Sequence, residues 1–426
     1  MVIDFLISLP VVALGLMLIL RCLEAWGFSG RFSRLFLSPA EGETPFSQSM
    51  PLWKVFLGAL GVRVAMLGAG IIAVMIFSQG GISWEDCIRR LCQRWDGHHY
   101  VNLVEQGYQA YQENGEHLFL AFFPGYVWAV RLLRLAIPNT LAAGVTLSWL
   151  SFGGACCFLY KLTEDYYDSK TARDALVYLC LFPYSFFFGT MMTEGLFLFL
   201  TTGACWFARK RRWWLFALFG VGAALTRMTG VLVIAPALVE LLSQESVPLR
   251  HSPGRRWTSA LVRLPLVFSP LLGTGIYLGL NYAVDGDPFA FVTHQEHWHQ
   301  GFMWVSRVIE RIWHYFCENL DGSFGWATWF PALVMFLAGM ALLWWASRRR
   351  ENPPSMLVYG FGLFLSVYCL SWLLSAGRYL ACCFPLFLFL ARLTRDRSGW
   401  RTVLMTGEAM FLGIYYFGYI SGAQIL

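Results

Sequence analysis

The stretch RWDGHHYVNLVEQGY, residues 94–108, concentrates ionisable side chains in a chain that is otherwise mostly apolar. Asp96 follows Trp95, an aromatic residue of the type that favours membrane interfaces. A carboxylate partly removed from water there should have a raised pKa and act as a general base. A solvated surface carboxylate is the simpler alternative. His98 and His99 are adjacent and point in different directions, so they do not suit a shared metal ion.

Three further charged residues interrupt apolar segments. Arg227, in LTRMTGV, and Arg378, in SAGRYLACCFP, each end an apolar helix. Arginines near helix ends can simply extend to the phosphates of the surrounding lipids. We favour the alternative that the two planar guanidinium groups together bind one lipid phosphate or pyrophosphate. Glu194, in MMTEGLF, follows a proline-broken helix at Pro183. Glu194 either stabilises the first turn of the next helix or acts as a functional acid near the membrane.

The composition predicts a membrane protein with several spans. The 426 residues are 57% hydrophobic and only 14% charged, with a mean hydropathy of +0.53, which excludes an ordinary soluble chain. Apolar runs of about 15 to 25 residues recur throughout and must be helices in lipid. Although the net charge is +6, most Lys and Arg residues lie in short clusters between these runs, which excludes nucleic-acid binding as a function. Membrane lipids are therefore the expected surroundings.

The basic clusters predict the orientation in the membrane. They should face the cytoplasm and comprise residues 209–212, 250–263, 348–350 and 392–401, with Arg31 and Arg34 near the start. Alternation then places Glu194, Arg227, Arg378 and the loop containing Asp96 on the outer face. The apolar segment 3–23 has no basic residue before it and predicts a permanent first helix rather than a cleaved signal.

The number of crossings depends on the apolar stretch 118–137. Counting crossings from the basic residues before this stretch and from those after it gives topologies that differ by one crossing. The two counts agree only if the stretch enters the membrane and returns, or lies along the outer interface. Its Phe123-Pro124-Gly125 break and its two arginines favour that interpretation. A normal crossing with both arginines inside is the alternative. The favoured interpretation gives about twelve crossings, with both termini outside.

We predict one membrane domain, 1–426, with outer loops at 79–138 and 284–326. The second loop contains His294, His297 and His299 in THQEHWHQ, which suit either a metal site or an aromatic-rich interface. Most of the 11 cysteines lie in apolar runs and should be packing residues. Cys87 and Cys92 share a polar loop, where they are either free or joined by a disulfide.

Several motifs in this order resemble the GPI mannosyltransferase II (PIG-V) family and its bacterial relatives, which are C-type (GT-C) glycosyltransferases. The first outer loop supplies three of them, residues 95–100, 105–108 and 121–125. The others are Phe182-Pro183-Tyr184, Thr193-Glu194-Gly195-Leu196-Phe197, Thr226-Arg227-Met228-Thr229-Gly230, Gly286-Asp287-Pro288-Phe289-Ala290-Phe291 with Gln295 and Trp298, and Gly377-Arg378-Tyr379. Thr193, Gly195 and Met228-Thr229 depart from the Ser, Ala and Ser-Asn of the family, which indicates a different acceptor surface.

The resemblance implies an all-α glycosyltransferase that moves a mannosyl or related hexosyl unit from a polyprenyl phosphate to a lipid-linked or cell-surface glycan. Asp96 would be the base of an inverting reaction, and Arg227 and Arg378 would bind the donor phosphate. The acceptor would contact residues of both outer loops and one helix start: His98, His99, Tyr100, Phe123, Pro124, Glu194, Gln295 and Trp298. No obligatory cofactor is expected, and a divalent metal ion is not required.

The residues leave other classes of function open. A proton-coupled transporter would need a helix repeat and acids in mid-membrane, whereas the polar residues here concentrate toward one face. A noncatalytic partner that binds lipid-linked glycans would keep the architecture without the reaction. The chain contains no Asn-x-Ser/Thr sequon and its outer loops are short, which favours a bacterial plasma membrane over the endoplasmic reticulum.

Overall fold

The computed structural model describes residues 2–28, 37–38, 48–79, 81–249, 253–322 and 324–425, and in these ranges it is almost entirely helical. Arg31, Arg34 and Arg250, which entered the orientation prediction, lie outside the described residues. The α-helices are α1 (Val2–Ala25), α2 (Leu52–Phe77), α3 (Trp84–Cys92), α4 (Gly97–Gln106), α5 (Pro124–Leu133), α6 (Thr140–Tyr166), α7 (Ser169–Leu181), α8 (Glu194–Arg209), α9 (Trp213–Thr226), α10 (Ile234–Leu249), α11 (Pro253–Val267), α12 (Pro270–Asp285), α13 (Ala290–Gln295), α14 (Val305–Glu318), α15 (Phe330–Ser347), α16 (Pro354–Val367), α17 (Ala376–Ala381), α18 (Phe384–Thr394) and α19 (Ser398–Ser421).

The predicted all-α membrane architecture is confirmed. Within the described ranges, six helical segments are long and apolar enough to cross a membrane: Asp4–Ala25, Leu52–Phe77, Thr140–Tyr166, Ala260–Asp285, Gly325–Ser347 and Ser398–Ser421. Four shorter apolar helices add to them: Trp213–Thr226, Met228–Gln244, Pro354–Val367 and Phe384–Thr394. The number of about twelve crossings stays a prediction, because six of the described segments have the length and hydropathy of a full crossing.

Charged residues sort to the two ends of the helix bundle. Helix α8 runs from Glu194 to Arg209, and its 16 residues correspond to a length of about 24 Å. The end that contains Arg209, called the basic end below, holds the predicted cytoplasmic clusters. There Arg209 pairs with Glu240 at 3.5 Å and Arg392 pairs with Glu351 at 3.3 Å. The opposite end, called the site end, holds Glu194 and the segment 79–138, the predicted first outer loop, which keeps that name below.

The first outer loop starts and finishes at the site end. Thr140, which begins α6, donates a 2.7 Å hydrogen bond from its hydroxyl to Glu105 near the end of α4. Helix α5 has 10 residues and is about 15 Å long, half the thickness of a hydrocarbon core. A helix of this length does not span a hydrocarbon core by itself, and the path of the whole stretch 118–137 stays a prediction. Arg131 of α5 donates to the carbonyls of Val104 and Leu103 at 2.8 and 3.1 Å, so it holds the last turn of α4 rather than lying free at the interface.

An unwound segment separates α7 from α8. Pro183 follows the end of α7 and cannot continue its backbone hydrogen bonding, so residues 185–189 form a single 3₁₀ turn. Irregular backbone at membrane depth needs partners inside the protein. Buried Arg63 of α2 supplies one by donating to the carbonyl of Ser185, and the Ser185 hydroxyl donates to Cys180 O at 2.7 Å. The interruption allows a new helix to begin at Glu194.

Replacing Arg131 with Met should lower the free energy of unfolding by about 1 kcal/mol, because two hydrogen bonds to the end of α4 are lost while the apolar stem is kept. Thermal unfolding of the purified protein in detergent measures the change. Arg134→Met is the matched control, since Arg134 makes only a 3.4 Å contact to Pro138 O. Equal effects of the two substitutions would contradict a special role for Arg131.

Candidate active site

The turn between α3 and α4 directs Asp96 toward Arg378. Trp95 has a φ of 52°, a left-handed value that is unfavourable for a bulky side chain. The backbone N–H of Met191 donates to Cys92 O at 2.8 Å and ties the turn to the unwound segment. Arg378 Nη1 then lies 2.7 Å from Asp96 Oδ2. Residues far apart in sequence, on the first outer loop and on α17, thus form one ion pair.

Glu194 is the acid that joins the two arginines. Its Oε1 lies 3.1 Å from Arg227 Nη2 and 3.5 Å from Arg378 Nε, and its side chain is only 1% exposed. Helix α8 begins at this residue, so the helix dipole adds to the stabilisation of its negative charge. Asp96, Glu194, Arg227 and Arg378 are called the four-charge cluster below. Their formal charges sum to zero.

The remaining surroundings of the arginines are sulfur atoms and aromatic rings. Arg227 Nη1 is 3.6 Å from Cys382 Sγ, and Arg378 Nη1 is 3.4 Å from Met192 Sδ. The ring of Tyr379 lies 5.0 Å from the Arg227 guanidinium and 5.3 Å from that of Arg378. These neighbours are soft or weak acceptors, so each guanidinium keeps donor capacity for a stronger anionic partner.

Two motif glycines are required by close packing at this site. A Cβ atom on Gly377 would stand 2.2 Å from the ring of Tyr184, which lies in the unwound segment. A Cβ atom on Gly230 would stand 2.2 Å from the backbone of Ala223. These contacts explain the glycines beside Arg378 and after Arg227 physically: any larger residue would displace the arginine-bearing segment.

A cavity of about 570 Å³ opens beside the four-charge cluster. Its ionisable lining groups, called the polar end below, include Asp96, Tyr100, Arg227 and Arg378. Leu363, Val367, Leu370 and Leu374 contribute aliphatic side chains to the lining and are called the apolar wall below. The volume is within the usual range of small-molecule sites. A ligand with a charged head and an apolar tail matches this division of the surface.

The pKa of Asp96 differs from the sequence expectation. Burial raises it, but the charge of Arg378 and the hydrogen bond from Arg378 outweigh burial, so the pKa lies below its ordinary value. The expected raised pKa was wrong because the residue is paired with a cation as well as removed from water. Burial and the neighbouring His98 lower the pKa of His99 to about 4. At neutral pH Asp96 is therefore ionised and His99 uncharged.

The two histidines of the opening motif do not line the cavity. The Nδ1 atom of His98 contacts the carbonyl of Trp95, and the Nδ1 atom of His99 lies 2.9 Å from the Tyr111 hydroxyl. The ring of His99 also packs 4.7 Å from that of Phe119. Both histidines therefore stabilise the loop in this structure, and their predicted contact with an acceptor is not seen in the cavity lining.

The other predicted acceptor residues divide between the cavity wall and its support. Tyr100, Phe123, Gln295 and Trp298 line the cavity, whereas Pro124 and Glu194 lie behind its surface. Phe123 stacks on Tyr277 with ring centroids 3.9 Å apart, and Trp298 meets Phe122 edge-on at 5.9 Å. The second contact joins the two predicted outer loops, whereas the first joins Phe123 to α12. Buried Glu194 contacts the arginines, so the predicted acceptor contact does not fit its position.

The alternative metal and disulfide interpretations have plain structural outcomes. Within the described ranges, no three potential metal-ligating His, Cys, Asp or Glu side chains come together. His294 instead lies 3.6 Å from Asp285, while His297 and His299 line the cavity. Cys87 and Cys92 are free and buried on α3. Whether the reaction needs a metal ion stays a prediction.

Sequence reasoning missed the apolar wall and several residues of the polar end. Leu363, Val367, Leu370 and Leu374 have no local signal, because an apolar stretch reads like any other membrane helix. Gln300, Ser366, Trp372 and Ser375 are further lining residues that the sequence does not single out. Phe197, Thr226, Met228, Thr229, Tyr379 and Cys382 also line the cavity and stand in the motifs around Glu194, Arg227 and Arg378, whereas His297 and His299 belong to the candidate metal motif THQEHWHQ.

No protein-family model and no curated protein matches the chain. Solved structures similar to it include ArnT from Cupriavidus metallidurans bound to undecaprenyl phosphate, with 14% identity and a TM-score of 0.47, covering 81% of this chain and 63% of that one. Another is the oligosaccharyltransferase AglB from Archaeoglobus fulgidus in complex with an inhibitory peptide and a dolichol-phosphate, with 13% identity and a TM-score of 0.43, covering 85% and 56%. This chain spans less than two thirds of the length of either. Neither likeness is close enough to assign an activity to it.

The Asp96–Arg378 pair should stabilise the fold over the whole neutral pH range. Because the folded pKa of Asp96 is lowered, the stabilisation is complete above the unfolded value of about 3.9 and is lost only as pH falls through the folded pKa. We expect Asp96→Asn to cost about 2 kcal/mol, with the difference constant from pH 8 to 5 and smaller below pH 4. Thermal unfolding across pH measures it, with exposed Asp86→Asn as the control. A difference that fades near pH 6 would indicate a raised pKa.

Glu194→Gln should lower the free energy of unfolding by about 3 to 5 kcal/mol, because two buried guanidinium groups would lose their shared anion. Denaturation in detergent at fixed pH measures the loss. Glu116→Gln, at an exposed turn, is the matched control and should be close to wild type. A Glu194→Gln protein as stable as wild type would show that Glu194 does not hold the arginines together.

Proposed function

We propose that the chain is a membrane-embedded glycosyltransferase. It transfers a mannosyl or related hexosyl unit from a polyprenyl phosphate to a lipid-linked or cell-surface glycan, with inversion at the anomeric carbon. One observation supports this most strongly: an ionised carboxylate and two arginines line the same cavity as a set of aliphatic side chains. A phosphosugar head and a prenyl tail match these two surfaces.

The donor phosphate is bound by Arg227 and Arg378. Both line the cavity, and besides the carboxylates of Asp96 and Glu194 their guanidinium groups contact sulfur atoms, which are weaker acceptors than a phosphate oxygen. Their charges act in a partly buried site, where electrostatic stabilisation of a departing phosphate is stronger than in water. Two arginines supply this stabilisation through the chain's own side chains, so the scheme needs no divalent metal ion. The apolar wall contacts the first part of the prenyl tail.

Asp96 is the general base. The acceptor hydroxyl oxygen attacks the anomeric carbon as the bond from that carbon to the phosphate oxygen breaks. The hydroxyl proton moves to Asp96, and the prenyl phosphate leaves with the bonding electrons. The lowered pKa keeps Asp96 in the proton-accepting form at neutral pH. Tyr100, Phe123, Gln295 and Trp298 form the part of the wall that an acceptor glycan contacts.

The mannosyl assignment comes from the sequence motifs that resemble the PIG-V family. Gly377-Arg378-Tyr379 and Thr226-Arg227-Met228-Thr229-Gly230 both reach the site, so the segments that resemble the family are those that build the cavity. The absence of sequons favours a bacterial plasma membrane, with the site end facing outward by the positive-inside rule. A bacterial protein would use a glycan acceptor other than a GPI precursor.

Asp96→Asn should reduce sugar transfer about 10² to 10⁴-fold while the protein stays folded, because the base is removed and the shape kept. Wild type and variant are reconstituted in liposomes with polyprenyl-phosphomannose and a panel of glycolipid acceptors, and products are identified by mass spectrometry. Asp86→Asn, in the same outer loop, is the control and should retain activity. Unchanged turnover in Asp96→Asn would remove Asp96 from the mechanism. No transfer from any phosphoprenyl sugar by folded wild type would overturn the proposed function.

A further inference from the structure

Arg378 contacts both the proposed base and the proposed phosphate site. Its Nη1 lies 2.7 Å from Asp96 Oδ2, and its side chain also lines the cavity. We propose that Arg378 changes partners during each turnover: it leaves Asp96 when that carboxylate accepts the acceptor's proton, and it then pairs with the phosphate of the departing prenyl monophosphate. This inference rests on the proposed function and goes beyond it, because it couples proton transfer to Asp96 with departure of the prenyl monophosphate through one side chain.

The charge balance of the site requires such a linkage. The four-charge cluster is formally neutral, and a donor phosphodiester brings one negative charge. When the anomeric bond breaks, the phosphate gains a second negative charge while Asp96 loses its own by accepting the proton. The total charge is therefore unchanged, but one negative charge has moved from Asp96 to the phosphate. If the cation that is paired with Asp96 moves to the phosphate, no unpaired anion is left in a partly buried site.

The geometry selects Arg378 rather than Arg227 for this exchange. Only Arg378 contacts Asp96, whereas the carboxylate partner of Arg227 is Glu194 at 3.1 Å. Glu194 also lies 3.5 Å from Arg378 Nε, on the side of the guanidinium away from Nη1. Glu194 can therefore stay beside Nε of Arg378 while the two Nη atoms of Arg378 move from Asp96 to the phosphate. Arg227 keeps its position and binds the phosphate before and after transfer.

The exchange has a consequence for product release. When Asp96 gives up its proton to water, its carboxylate competes again with the prenyl monophosphate for Arg378. Deprotonation of the base therefore weakens product binding and resets the site. By linkage, binding of the monophosphate must be coupled to proton uptake by Asp96. A structural role for the Asp96–Arg378 pair alone predicts no such coupling.

Calorimetric titration of the detergent-solubilised protein with farnesyl monophosphate tests the coupling. We expect Asp96→Asn, which resembles the protonated acid, to bind the probe about tenfold tighter than wild type, a difference of about 1.4 kcal/mol. The double variant Asp96→Asn with Arg378→Gln should lose the gain. Asp86→Asn is the matched control for a lost acidic charge on the same outer loop and should bind like wild type.

Wild type alone provides a second measurement if Asp96→Asn does not fold. Titration at about pH 4, where Asp96 is close enough to its pKa to exchange a proton, in two buffers of different ionisation enthalpy should reveal proton uptake beyond that of the probe's own phosphate, measured in a reference titration without protein. No net uptake by the protein, or an Asp96→Asn affinity equal to or weaker than wild type, would overturn the exchange while leaving the proposed function in place if Arg227→Gln still weakens binding. Wild-type binding that neither Arg227→Gln nor Arg378→Gln weakens would overturn both.

Discussion

Glu194 is the residue on which the arrangement of the site depends. Two guanidinium groups that share one partly buried site repel each other strongly, because the low dielectric of the interior does not screen their charges. One carboxylate oxygen of Glu194 lies within 3.5 Å of both and compensates this repulsion. The oxygen gains further stabilisation at the start of α8. Without this anion, the convergence of Arg227 and Arg378 would cost more than local packing could offset.

The backbone of the bundle is interrupted at three places to bring these charges together. Glu194 begins a helix after the unwound segment, Arg227 follows the end of α9, and Arg378 lies in the short helix α17. Long uninterrupted membrane helices would direct such side chains into lipid or into a packed interior. Short helices and turns at the site end allow polar groups to face a cavity instead. The close contacts of Gly230 and Gly377 hold two of these segments in place.

The division of the cavity into a charged end and an apolar wall determines the class of ligand that fits it. Water-filled sites for free sugars would be lined by polar groups on all sides, whereas Leu363, Val367, Leu370 and Leu374 offer no hydrogen bond. The lipid-linked phosphate of the proposed function would contact both sets of residues. The contact between Trp298 and Phe122 joins the two predicted outer loops beside the cavity, which is the wall that the proposed acceptor would meet.

The sequence by itself determined the helical membrane architecture and pointed to the charged candidates. Hydropathy, charge alternation and proline breaks are local signals, and each acts independently of distant residues. Only the tertiary structure decided that Asp96 pairs with Arg378, that the pair lowers the pKa of Asp96, and that Glu194 lies behind the cavity wall. The physical reason is that pKa values and ion pairs depend on distances between segments far apart in the chain, which sequence spacing does not contain.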